Sequence, residues 1–198
     1  MDEEIRLLYA DHPELSSNVD SNAWIHTYTG KKFYPQNPTP ESICIEDIAH
    51  ALSMQCRFGG HVSEFYSIAQ HSVLVSYLCD ESNRLCALLH DAAEAFLMDC
   101  LSPIKRMPEL QGYKLLEKKV QQAIYNKWGI MGETKNVKRA DLLCLSMEAN
   151  TFMYPLHLDW EVAVKAPPLK IVSLSPKDAE VLFLDRFREL TNGSDINS

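Results

Sequence analysis

"LLHDAAEAFLMDC", residues 88–100, is an apolar stretch that carries three ionisable side chains near its centre. Its pattern predicts a buried helix, which we expect to run from about residue 83 to about residue 100. Adjacent helical positions point about 100° apart, so His90 and Asp91 cannot share one solvent face. An isolated charge in a protein core is very costly. We therefore expect His90, Asp91 and Glu94 to be paired, neutralised or bound to a metal ion.

Apolar residues recur at helical spacing on both sides of this stretch, which predicts an all-α fold. Two β-prone runs around Gly30, in "WIHTYTGKKFYP", predict a hairpin. Pro103 and Pro108 disfavour helix, so "SPIKRMPEL" is expected to be a loop. We expect a polar lead-in over residues 1–22 and one domain over 23–198, a bundle of about six helices with a small N-terminal hairpin. The further helices are predicted over residues 45–55, 64–79, 112–128, 136–153 and 176–190, with irregular chain over 155–175.

Composition limits the function classes. The 198 residues are 46% hydrophobic, which suits one domain with a sizeable core. No apolar run reaches the ~18 residues needed to span a bilayer. The acidic N-terminus lacks the features of a signal peptide, so we expect a cytoplasmic protein without a membrane partner. A net charge of -8 disfavours nucleic-acid polymers as partners, and the six scattered cysteines are interpreted as reduced core residues.

Two more ionisable residues stand among apolar neighbours. His71 shares a predicted helix face with Val75, and Asp141 shares one with Val137. Each alone has an ordinary explanation, since a single histidine on an apolar face is more often a hydrogen-bonded core residue. Together with His90 and Asp91, they would bring two imidazoles and two carboxylates from three helices to one point. That ligand set suits a divalent transition-metal ion.

The segments "AQHS", "ALLHDAAEAFLMDCLSPIK" and "VKRADLL" resemble the HD-domain metal-dependent phosphohydrolases, over residues 56–148. The most similar branch contains small bacterial 5′-deoxynucleotidases and phage deoxynucleoside triphosphate hydrolases. The resemblance implies a single HD-domain helical bundle. Binuclear members carry further histidines, whereas no histidine lies between His90 and His157 here, so one divalent ion is expected: Co, Mn, Zn, Ni, Fe or Mg. The metal ligands that the resemblance implies are His71, His90, Asp91 and Asp141.

The same resemblance implies two catalytic carboxylates. Glu94 matches the family glutamate that moves a proton beside the metal, and its spacing from His90 and Asp91 projects it over the same turn. The alternative for Glu94 is a glutamate on the helix surface. Asp99 matches the family aspartate that meets the sugar hydroxyl and favours deoxyribose.

Five residues are implied as substrate-binding. Arg57 could hold a phosphate through two hydrogen bonds, and Phe58 could stack on a base or simply pack. His61 could reach the phosphate or the base, or be structural. Lys105 matches a phosphate-facing lysine, and Lys138 precedes the last metal ligand by one turn. Each of the cations alone could equally be a solvated surface charge.

The expected function is hydrolysis of a phosphate ester or anhydride of a small-molecule nucleotide by a metal-dependent enzyme. A 5′-nucleotidase acting on monophosphates and a triphosphohydrolase acting on deoxynucleoside triphosphates both stay open. Weaker alternatives are cleavage of a cyclic nucleotide or an alarmone, a catalytically silent metal-binding or regulatory module, and an oxygen-activating di-iron enzyme. The oligomeric state, including a homo-oligomer, stays open as well.

Overall fold

The computed structural model describes residues 23–153, 155–160 and 170–191. Within these residues the chain forms eight α-helices and one two-stranded hairpin, so the all-α prediction with a small N-terminal hairpin is confirmed. The helix count was predicted too low, because residues 83–110 are divided more finely than their pattern indicates. The predicted lead-in lies outside the described residues. No helix in the described part of the chain is both long and apolar enough to cross a membrane.

The secondary-structure elements follow one another along the chain without a large sheet. Short 3-10 turns occupy Pro40–Ser42, Arg57–Gly60, Glu81–Asn83 and Pro108–Leu110. The strands are β1 (Ile25–His26) and β2 (Lys32–Phe33). The helices are α1 (Ile45–Met54), α2 (Ile68–Leu78), α3 (Arg84–Leu88), α4 (Glu94–Leu97), α5 (Ser102–Lys105), α6 (Gln111–Lys127), α7 (Lys135–Phe152) and α8 (Pro176–Thr191).

Helix α2 lies at the centre of the bundle and packs against α1, α3, α7 and α8. It begins at Ile68, later than its apolar period indicates, because the Ser67 hydroxyl accepts the backbone N–H of Gln70 and caps the helix there. Most of α2 is buried around its whole circumference, including its polar residue His71. The imidazole of His71 therefore lies in the middle of the core.

The predicted single helix over residues 83–100 is wrong. Helix α3 ends at Leu88, α4 begins at Glu94, and residues 89–93 form a turn between them. Gln121 of α6 stabilises this turn: its Nε2 donates to the carbonyl of Leu89 at 2.7 Å, and its Oε1 accepts the N–H of Ala93 at 2.9 Å. A side chain from a distant helix thus satisfies the backbone groups that the turn leaves without helical partners. We call residues 89–93 the His-Asp turn.

The predicted loop over "SPIKRMPEL" is also wrong, because it contains α5 and the 3-10 turn Pro108–Leu110. Pro103 lies in the first turn of α5, where a backbone N–H has no helical partner in any case. Proline therefore marks the beginning of a short helix here and does not exclude one.

Candidate metal centre

The four predicted metal ligands meet at one point. His71 comes from α2, His90 and Asp91 from the His-Asp turn, and Asp141 from α7. The Nε2 atom of His71 lies 3.5 Å from Asp91 Oδ2 and 3.3 Å from Asp141 Oδ1. The Nε2 atom of His90 lies 3.3 Å from Asp91 Oδ2 and 3.9 Å from Asp141 Oδ1. The structure thus brings these four side chains together from three parts of the chain.

The orientation of both imidazoles fits a metal ion. His71 Nδ1 lies 2.7 Å from a carboxylate oxygen of Glu148, and His90 Nδ1 lies 2.7 Å from the carbonyl of Ala87. Because both partners are acceptors, each Nδ1 carries a hydrogen, which leaves each Nε2 to hold a second proton or to give its lone pair to a metal ion. The two Nε2 atoms face each other at 3.3 Å. Two lone pairs at this distance would repel each other, so either a proton or a metal ion must lie between them, and His71, His90 and Asp91 are compatible with a bound metal ion.

Electrostatics at the centre favour positive charge. Burial lowers the pKa of His90, but Asp91 and Asp141 outweigh burial and raise that pKa to about 10. Burial raises the pKa of Asp141, yet hydrogen bonds from His71 and His90 hold it well below its usual value. Asp141 therefore stays ionised and creates a negative potential that a divalent cation would neutralise.

Glu148 contacts the predicted metal ligand His71, although the sequence pattern assigns it no role. Its side chain is fully buried on α7, two helical turns after Asp141, so both residues lie on one face of the helix. Its Oε1 receives hydrogen bonds from His71 Nδ1 at 2.7 Å and from the Tyr66 hydroxyl at 2.7 Å. The seven-residue spacing from Asp141 was the available signal, but a spacing does not reveal what a carboxylate touches.

Glu148 also holds a cation. Its Oε2 lies 3.2 Å from a terminal nitrogen of Arg57, and the other terminal nitrogen of Arg57 lies 3.6 Å from Asp91 Oδ2. Burial raises the pKa of Glu148, but Arg57 and His71 outweigh burial and lower it to about 2. Cys144 donates to the same carboxylate at 3.2 Å. Because this carboxylate already has these partners, we assign it to orienting His71 and not to a second metal site.

Arg57 and Phe58 lie beside the centre. The guanidinium lies 5.2 Å from the centre of the Phe58 ring. Phe58 has a φ of 57°, a left-handed conformation that is uncommon for a residue with a side chain. His61 is exposed, and its backbone N–H donates to the carbonyl of Phe58. The structure thus brings Arg57 to the metal ligands, with Phe58 beside it, while His61 stays at the surface.

A cleft of about 370 Å³ opens next to the metal ligands. Glu94 lines it and is only 5% exposed, with Oε1 3.5 Å from Lys105 Nζ. Its other oxygen has no hydrogen-bond partner among the described residues. Burial, with the nearby charges of Asp91 and Asp99, raises the pKa of Glu94 well above its usual value. The side chains that line the cleft are His90, Asp91, Ala93, Glu94, Lys105, Lys114, Glu117, Lys118, Gln121, Glu133 and Asp141.

Of three other predicted site residues, one lines the cleft and two do not. Lys105 lines the cleft but is already bound to Glu117 at 2.6 Å. Lys138 has a side chain that is 65% exposed, pairs with Glu133 at 3.4 Å and does not line this cleft. Asp99 is half-buried outside the lining, and burial raises its pKa. Glu94 and Lys105 are therefore brought together with the metal ligands, whereas Lys138 and Asp99 are not part of the same lining.

Comparison with known proteins gives two relatives. No protein-family model matches the sequence. The chain is 38% identical over 173 residues to the uncharacterized protein YfdR of Escherichia coli K12, which covers 85% of this chain and 96% of YfdR. It is 34% identical over 141 residues to an uncharacterized protein of Rhodobacter capsulatus, which covers 64% of this chain and 71% of that protein. The chain therefore belongs to the protein family that contains YfdR.

Proposed function

We propose that this protein is a metal-dependent phosphohydrolase of the HD-domain type and that it hydrolyses nucleotides. The observation that carries the proposal is the convergence of two imidazole Nε2 atoms and two carboxylate oxygens at one point beside a cleft. The motif resemblance described above and the buried glutamate in the same cleft support it.

The ion would be held by His71, His90, Asp91 and Asp141. This mixed nitrogen and oxygen set suits Mn, Fe, Co, Ni or Zn, and Mg stays a weaker candidate because it prefers oxygen ligands. A divalent ion bound there supplies a Lewis acid that activates water and polarises a phosphoryl oxygen.

In this proposal Glu94 accepts a proton and then donates it. Burial raises its pKa above the usual value of a glutamate, which suits a group that both accepts and donates a proton. One carboxylate oxygen contacts Lys105, which leaves the other for the reaction. Glu94 takes a proton from the attacking water as the new P–O bond forms. It returns that proton to the leaving oxygen as the old P–O bond breaks, so that one water molecule is consumed.

Substrate binding is assigned to the residues nearest the metal ligands. Arg57 has a buried Nε with no hydrogen-bond partner among the described residues, and a phosphate oxygen would satisfy it. We assign Phe58, whose ring lies beside that arginine, to stacking on a base. Contact of Asp99 with the sugar hydroxyl, and of His61 with the substrate, stays a prediction.

The test is release of phosphate or of inorganic triphosphate from the common nucleoside mono- and triphosphates, with Mn, Co, Mg or Zn supplied to the purified full chain. We expect turnover with at least one metal. Glu94→Gln should keep its metal affinity and lose roughly 100-fold or more of the rate, because general acid–base catalysis has about that size. Glu109→Gln is the matched control, since Glu109 is exposed and lies outside the cleft. A protein that binds metal but turns over no nucleotide would contradict the proposal and favour a silent metal-binding module.

A further inference from the structure

We propose that Lys114 and Lys118 form a second anion subsite in the cleft and that the substrate therefore carries two or more linked phosphate groups. This inference rests on the proposed function, because it places one phosphate at the metal ligands. The metal ligands alone do not distinguish a monophosphate from a substrate with several linked phosphates, and this inference does.

The geometry of α6 sets the position of the subsite. Lys114, Glu117, Lys118 and Gln121 all line the cleft, and their spacing places them on one face of the helix. Gln121 is fixed to the His-Asp turn by two hydrogen bonds, so this end of the face lies next to the metal ligands. Along the helix axis, Lys118 lies about 4.5 Å and Lys114 about 10.5 Å beyond Gln121. The two lysines therefore extend the cleft lining away from the metal ligands.

The pairing of charges singles out Lys114 as a cation available to a ligand. Glu117, which also lines the cleft, pairs with Lys105 at 2.6 Å, and Glu133 pairs with Lys138 at 3.4 Å. Lys114 is half-buried and, within the described parts of the chain, makes no hydrogen bond or ion pair. A half-buried lysine without a carboxylate partner among the described residues favours an anionic ligand.

The overall charge of the cleft predicts when that ligand binds. Three lysines and five carboxyl groups line the cleft, so acidic groups outnumber the lysines and disfavour a phosphate chain. A divalent ion held by Asp91 and Asp141 would offset this excess of acidic groups. A single phosphate at the metal ligands has no further anionic group to reach Lys114, whereas a chain of phosphates can extend along α6. We therefore expect polyphosphate binding to depend both on the metal and on these lysines.

The test uses inorganic tripolyphosphate and inorganic phosphate as probes, each titrated calorimetrically into the metal-loaded full chain at equal free metal concentration. The double variant Lys114→Gln, Lys118→Gln should lose tenfold or more in tripolyphosphate affinity, about the value of one charge-assisted hydrogen bond. Its phosphate affinity should change less than about twofold. Lys119→Gln is the matched control, because Lys119 is next to Lys118 but binds the carbonyl of Gln36 outside the cleft. Titration with the metal alone should give the same affinity for all these proteins.

The outcomes separate this inference from the proposed function. Unchanged tripolyphosphate binding by the double variant, or no tripolyphosphate binding by the wild-type protein, overturns the subsite. Equal losses for phosphate and tripolyphosphate also overturn it, because they would show a general electrostatic effect. Efficient turnover of monophosphates, unaffected by the double substitution, would refute the polyphosphate preference and leave the proposed function intact. Binding that depends on the lysines without any turnover would keep the subsite and refute the hydrolase.

Discussion

The two ends of the cleft are built differently. At the metal end, the side chains of His71 and Glu148 are fully buried and that of His90 is 5% exposed, and both imidazoles have a hydrogen-bond partner at Nδ1. At the lysine end, Lys114 and Lys118 lie on one face of α6, and Lys114 makes no hydrogen bond or ion pair with the residues that the structure describes. Hydrogen bonds from neighbouring groups orient the histidines at the first end, whereas the lysines of the second end lie on a single helix.

This difference follows from what each end is proposed to bind. A metal ion requires ligands held within a narrow range of distances and angles, so its histidines need orienting partners. A lysine ammonium is a point charge on a long stem and can follow a phosphate wherever it lies. Substitutions at the metal end should therefore change stability and metal affinity together, whereas substitutions at the lysine end should change ligand affinity alone.

The largest effect is expected for Glu148→Ala. This variant leaves Arg57 buried without its main carboxylate partner, which costs about 3–5 kcal/mol in the free energy of unfolding. It also removes the acceptor that orients His71, which should weaken metal binding by about 10- to 100-fold. Denaturant unfolding and titration with the metal alone measure the two effects.

Glu148→Gln is the control for this prediction. The amide oxygen can still accept from His71 and Tyr66, but it offers no charge to Arg57. It should therefore keep more metal affinity than Glu148→Ala does. Wild-type metal affinity in Glu148→Ala would show that His71 needs no orienting partner.

Much of the metal end could be predicted from the sequence, because its residues break an apolar pattern. His71 and Asp141 each stand among core residues, and a charge in that environment needs a partner. The hairpin was predictable from its turn, where Gly30 has a φ of +85°. The local sequence pattern therefore indicated which side chains lie among core residues and where the hairpin turns.

The other features of the fold and of the site depend on tertiary contacts, which the sequence pattern does not show. The break in the helix at residues 89–93 depends on Gln121, which lies about 30 residues later and looks like any polar residue on α6. The role of Glu148 depends on the positions of Tyr66 and Arg57 relative to α7. Lys138 precedes Asp141 by one turn, yet that spacing does not bring it into the cleft lining. Spacing along one helix cannot show which neighbouring element a side chain faces.

An intermediate effect is expected for Gln121→Ala. The change removes both hydrogen bonds to the backbone of the His-Asp turn and leaves the carbonyl of Leu89 and the N–H of Ala93 without these partners. We expect a loss of about 1–3 kcal/mol in the free energy of unfolding. Metal affinity should fall as well, because the turn carries His90 and Asp91.

Gln122→Ala is the matched control for that variant. Gln122 is exposed on the same helix and contacts only Asn126, four residues later, among the hydrogen bonds of the described residues. Its substitution should change the free energy of unfolding by no more than about 0.5 kcal/mol. Equal effects of the two alanine variants would mean that the turn is held by other contacts.

The smallest effect is expected for Lys138→Gln. Lys138 is mostly exposed, and an exposed ion pair such as its contact with Glu133 contributes little because water and salt screen it. The free energy of unfolding should change by less than about 0.5 kcal/mol, and the nucleotide KM by less than about twofold. Steady-state kinetics beside the Lys114→Gln, Lys118→Gln variant measure the second quantity. A tenfold rise in KM for Lys138→Gln would place substrate phosphates over α7, and the distinction between a lysine end on α6 and a metal end would then be wrong.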